Sequence, residues 1–147
     1  MANTAEAPGA ARRQRPGENM RLVDALGYRL PLAGLVSILH RASGLVMFFL
    51  LPFVIWMFDT SVTSEITYSQ FSSVFSAGVG FLPGWFFKLV ALALIWAYLH
   101  HLIAGLRHLW MDATHAVTLQ FGRSSAVFTL CVSILLTFAL GAKLFFF

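Results

Sequence analysis

The sequence predicts an all-α membrane protein with three transmembrane helices, and three observations lead there. Hydrophobic residues fill 59% of the 147 positions and charged residues 11%, against about 25% charged in an ordinary soluble domain. A chain this short cannot hide so much apolar surface from water, because a small domain leaves much of its area exposed. Three apolar stretches are each long enough for the roughly 20 helical residues that cross a hydrocarbon core. Lys and Arg gather on one side of those stretches. Helices are required because a lipid-facing backbone must satisfy its own hydrogen bonds, and three segments cannot close a barrel.

Residues 1–29 read as a cytoplasmic tail and interfacial segment, and 30–147 as the transmembrane anchor. The tail carries Arg12, Arg13 and Arg15 with no apolar run behind them, unlike a secretory or twin-Arg signal. Glu6 and Glu18 speak against a mitochondrial transit peptide. The first span covers about 32–58, and Pro52 within it predicts a kink, not an end. In the connection that follows, Ser64 is expected to cap a short interfacial helix presenting Phe71, Val74 and Phe75 and closed by Gly78. The second span, about 85–109, contains Lys88, His100, His101, Arg107 and His108. A brief polar link, 111–125, leads to the third span, about 126–147, with Lys143 as its one charge. There Cys131, Ser133 and Thr137 read as packing and interhelical contacts. A lone cysteine builds neither an internal disulfide nor a zinc or iron–sulfur site.

Counting cations by side orients the chain. Arg12, Arg13, Arg15, Arg21, Arg29, Arg41, Arg107 and Arg123 fall on one side, and Lys88 and Lys143 on the other. The positive-inside rule then makes the N-terminus cytoplasmic and the C-terminus external, with Tyr28 and Trp85 as interfacial anchors. The net charge of +4 is thus a topology signal, and the expected partner is the lipid bilayer, with no nucleic acid.

Ionisable groups inside a span cost about 2.5–3.5 kcal/mol each, so they point to function. Ser37, His40, Arg41 and Gly44 recur at helical spacing and form one polar stripe on the first span. As packing alone, Arg41 would snorkel to headgroups while Ser37 and His40 bonded the backbone. As a site, a hydroxyl at Ser37 and a guanidinium at Arg41 suit a carbonyl or an anion. On the second span His101, Ala104, Gly105 and His108 share a face, with Ala97 one turn earlier. Small residues beside an imidazole leave a slot for a flat macrocycle, and imidazole suits haem iron. His100 instead shares its stripe with Trp96, Ile103 and Arg107, so His101 is the better candidate ligand. His101 and His108 stand about 10 Å apart along the axis and cannot grip one iron together. The other spans offer no histidine at matching depth, so a second axial ligand implies a partner membrane subunit.

At these residues the sequence resembles the cytochrome b membrane anchor of succinate dehydrogenase, respiratory complex II. The resemblance rests on Ser37-Ile-Leu-His-Arg-Ala-Ser-Gly44 and on His101-x-x-x-Gly-x-Arg-His108-x-x-x-Asp112, and spans roughly residues 28–112. It implies that His101 is one axial ligand of haem b, and that a second, smaller anchor subunit supplies the other. It implies that Ser37 and Arg41 belong to the ubiquinone site, beside the iron–sulfur subunit. His40, Arg41 and His108 would lie near the haem propionates, and Asp112 on a water or proton path. Electrons from succinate would reach this site through a flavoprotein subunit and the iron–sulfur subunit docked on the cytoplasmic face of a bacterial inner membrane. The segment after Arg15-Pro16 departs from the Ser-Pro-His-Leu form of many relatives, which touches the contacts of the tail and not the two motifs.

Two other readings use the same residues. An anchor of a quinol:fumarate reductase would run the flux in reverse, and other haem b anchors would place axial histidines on more helices of one chain. A haem-free scaffold would need only snorkelling basic residues.

Overall fold

The computed structural model describes residues 30–115 and 117–146. The tail 1–29, with its arginines and Tyr28, lies outside the described residues. Helix α1 (Leu32–Phe49) is followed after Leu50 by α2 (Leu51–Val62). Leu50 bonds back to the Val46 carbonyl and Val54 to the Leu50 carbonyl, each at 3.0 Å, so helical hydrogen bonding straddles Pro52. The stretch expected to be one kinked span is nonetheless divided at Leu50 into two helices, with Pro52, which lacks an N–H, in the first turn of α2.

Helix α3 (Glu65–Ser76) opens with a reciprocal cap. The Thr67 N–H donates to Ser64 Oγ at 3.2 Å, and the Ser64 N–H to Thr67 Oγ1 at 3.0 Å. Its Val74 is buried, and Phe71 lies 6.3 Å from the Trp56 ring, so the apolar face predicted for it turns onto the bundle. Gly78 takes φ 87°, where a Cβ would collide with the Leu82 carbonyl. That residue turns the chain toward α4 (Gly84–Thr114). Helix α4 ends at His115 in the left-handed conformation (φ 53°), and α5 (Leu119–Phe146) begins as Thr118 Oγ1 accepts the Phe121 N–H at 3.3 Å.

Among the described residues three helices, α1, α4 and α5, are long and apolar enough to cross a membrane. The chain is a multi-pass membrane protein. Helices α4 and α5 reach further toward each other than hydropathy implies. Arg123, Ser124 and Ser125 end the apolar run but are helical, so the expected link of 111–125 shrinks to 115–118.

The three spans meet through small residues. Val36, Ala104 and Ala126 are fully buried, with Ala33 and Leu130 beside them. Ala97, Gly122, Ser133 and Gly141 are buried too. In lipid no hydrophobic effect draws helices together, and close backbone approach with interhelical hydrogen bonds does so instead. The buried stripe of α5 runs through Ala126, Thr129 and Ser133. Cys131 falls off that stripe and is exposed, contrary to the packing role expected of it. Thr137 bonds its own helix at the Ser133 carbonyl, 2.7 Å away.

Candidate functional site

The polar residues of α1 and α4 converge where the two helices touch. His101 Nδ1 lies 3.0 Å from the His40 main-chain carbonyl and 3.3 Å from Ser43 Oγ. The Ser43 hydroxyl itself donates to the same carbonyl at 2.8 Å. A carbonyl can only accept, so Nδ1 is the donor, and in the neutral imidazole Nε2 keeps its lone pair. Among the described residues Nε2 takes no hydrogen bond. Gly44 makes the approach possible, because a Cβ there would stand 3.0 Å from His101 Cε1.

The His40 ring stacks on His101 with centroids 4.1 Å apart and planes 21° apart, and lies 5.3 Å from the His108 ring. The first span therefore does place a histidine at the depth of His101, which corrects the sequence reading. The correction does not supply a second axial ligand. A face-to-face stack leaves no room for an iron and a porphyrin plane between the rings.

Two further expectations shift. Ala97 and Ala104 are fully buried in the core, so they bring helices together and do not line an open slot. Gly105 admits the His40 ring, whose Nε2 would be 3.4 Å from a Cβ at that position. The predicted polar stripe of α1 also splits. Val36 and Ser43 are buried, with His40 and Gly44 half-buried beside His101, whereas Ser37 is half-buried and Arg41 exposed. Asp112 is exposed one turn beyond the half-buried His108. Ser43 is the participant that spacing missed, since a serine in an apolar helix reads as bonded to its own backbone.

His100 behaves differently from its neighbour. It is fully buried, with Nδ1 3.2 Å from Ser133 Oγ on α5 and its ring stacked on Trp96 at 5.6 Å. Its Nε2 is enclosed without a partner. The 100° between adjacent helical residues thus sends His100 to α5 and His101 to α1.

Among the described residues no group of three or more His, Cys, Asp or Glu could hold a metal ion. A chain that offers one imidazole of fixed tautomer suits a haem iron, whose remaining ligands are the porphyrin and one outside donor. The face beside His101 carries Tyr98, Leu102, Leu106 and Leu109, all exposed. An apolar macrocycle or a neighbouring helix fits that surface.

Comparison with known proteins identifies the family of the chain. Residues 12–140 match the family described as Succinate dehydrogenase/Fumarate reductase transmembrane subunit. The succinate dehydrogenase cytochrome b556 subunit of Paracoccus denitrificans is 29% identical over 74% of this chain and 78% of its own length. That of Coxiella burnetii is 30% identical over 76% of this chain and 84% of its own length. That of Rickettsia felis is 27% identical over 77% and 82%. With both motifs inside the matched range, the chain belongs to the succinate dehydrogenase/fumarate reductase transmembrane family, as a cytochrome b556-like membrane anchor subunit.

Proposed function

We propose that this chain anchors a succinate dehydrogenase, holds haem b together with a second anchor subunit, and contributes to the site of ubiquinone reduction. The carrying observation is the His101 Nδ1–H held by the His40 carbonyl at 3.0 Å. An imidazole oriented in this way presents Nε2 to a metal with its tautomer already set. Haem b, when bound, supplies a reversible one-electron centre. His101 would hold the iron from this chain, and the partner anchor would supply a second ligand.

His40, Arg41 and His108 supply donors and charge for the haem propionates. Ser37 and Arg41, one turn apart at the surface of α1, donate to the quinone oxygens as negative charge builds on them. Asp112 exchanges protons with water beyond His108. The chain alone catalyses nothing. Electrons reach it through the flavoprotein and iron–sulfur subunits. The named relatives are succinate dehydrogenase subunits, which favours flux from succinate to quinone over the reverse.

The arginines Arg41, Arg107 and Arg123 lie toward one end of the bundle and Lys88 and Lys143 toward the other. That asymmetry makes the N-terminus cytoplasmic. A fluorescent protein that folds only in the cytoplasm should shine when fused at the N-terminus and stay dark at the C-terminus, and the opposite pattern would invert the orientation.

Turnover with two acceptors tests the quinone site. Ser37→Ala and Arg41→Leu each remove a donor to a charged or charging oxygen, a loss of about 1.5–3 kcal/mol, or about tenfold and more in rate. Succinate–ubiquinone turnover should fall by that factor while succinate–dye turnover stays within about twofold. Equal losses in both assays would assign these residues to assembly.

A further inference from the structure

Arg107 takes no part in the haem and quinone reading, yet it is buried, with only 8% of its surface exposed. Its Nε donates to Ser125 Oγ at 2.9 Å and its Nη2 to the Gly122 carbonyl at 3.2 Å. Both partners are neutral. The carboxylates among the described residues are Asp59, Glu65 and Asp112. The first two belong to the far end of the bundle, and Asp112 is exposed and about 140° around α4 from Arg107. A guanidinium buried without a counter-ion is costly unless an anion meets it.

Two hollows border this side chain. One, about 560 Å³, opens at the bundle end between the starts of α1 and α5 and the end of α4, and Arg123 lines it beside Met111 and Leu119. The other, about 650 Å³, follows the α4–α5 groove past Trp110, Phe128 and Val132. Among the described residues neither lining includes a carboxylate. Gly122 is buried, yet a Cβ there would meet no atom within 4 Å. The first hollow is cationic and the second apolar, and Arg107 joins them.

We propose that Arg107 and Arg123 hold the phosphate diester of an anionic phospholipid whose acyl chain lies in the α4–α5 groove. Span ends stand at headgroup depth, where phosphate is the abundant anion. Guanidinium groups match phosphate bidentately. Inorganic phosphate has the same headgroup chemistry but no chain to fill the groove. The site is separate from His101, which faces α1 while Arg107 faces α5, so it does not rest on the haem reading.

The test uses the purified membrane complex containing this chain, extracted in mild detergent. Bound phospholipid is extracted, identified by mass spectrometry and counted by phosphorus assay. The intact complex should retain an anionic phospholipid that Arg107→Gln, Arg123→Gln and Gly122→Leu each hold about tenfold less well. Gly122→Leu fills the hollow while leaving both arginines, so it and Arg123→Gln carry the test if Arg107→Gln fails to assemble. Delipidated complex should regain thermal stability with phosphatidylglycerol and not with phosphatidylcholine or millimolar inorganic phosphate. Equal retention in the intact complex and the variants would overturn the proposal. Stabilisation by inorganic phosphate alone would overturn it in favour of a free-anion site, and equal stabilisation by phosphatidylcholine would remove the role of the arginines.

Discussion

The reduced b-type absorption band of the purified complex should disappear in His101→Leu and survive in His100→Leu. Losing only the hydrogen-bond partner of a ligating histidine typically weakens metal binding by about 10–100-fold. Losing the imidazole itself removes the iron bond and should cost at least that. His100 faces the other way, into the core against Ser133 and Trp96. Leucine there forfeits one hydrogen bond but also removes an enclosed nitrogen without a partner, so its effect on folding should be small. Flavin content and co-purifying chains, measured alongside the spectrum, separate haem loss from failed assembly. A band kept by His101→Leu and lost by His100→Leu would reverse the register of α4.

The second large effect is steric. Gly44 lies against the imidazole, where a Cβ would come 3.0 Å from Cε1 and 3.3 Å from Nδ1. Gly44→Ala asks the ring to give by a few tenths of an ångström. Gly44→Val adds two more methyl groups on the same side and should drive the ring off the His40 carbonyl. The expected outcome is a graded series. Alanine should keep haem with weaker retention during purification, and valine should lose it by about 10–100-fold, the cost of a missing orienting partner. Haem retained at full occupancy in Gly44→Val would show that the imidazole is not held against α1.

The three spans were legible in the sequence because each carries an apolar run that only lipid can accept. Their limits were not, because Arg123, Ser124 and Ser125 interrupt hydropathy without interrupting a helix. The divergence of His100 and His101 followed from helical period alone. Which edge of the α1 stripe meets α4 did not, since packing brought Val36 and Ser43 inward and left Arg41 outside. Ala104 shows the same limit. A small residue beside a histidine can leave a cavity or admit a neighbouring helix, and only the tertiary arrangement decides between them. Arg107 entered the sequence reading as a basic residue of one side, but its burial depends on Ser125 and Gly122 of α5. Nothing local to α4 announces that.

The acceptor that steers His101 is a main-chain atom, and every amino acid at position 40 would carry it. The orientation of that imidazole is therefore insulated from drift at the position that provides it. A substitution of His40 alters what its ring touches and leaves the steering oxygen in place. The two stacked histidines, though in van der Waals contact, are genetically separable, and lineages can vary one while keeping the other aimed.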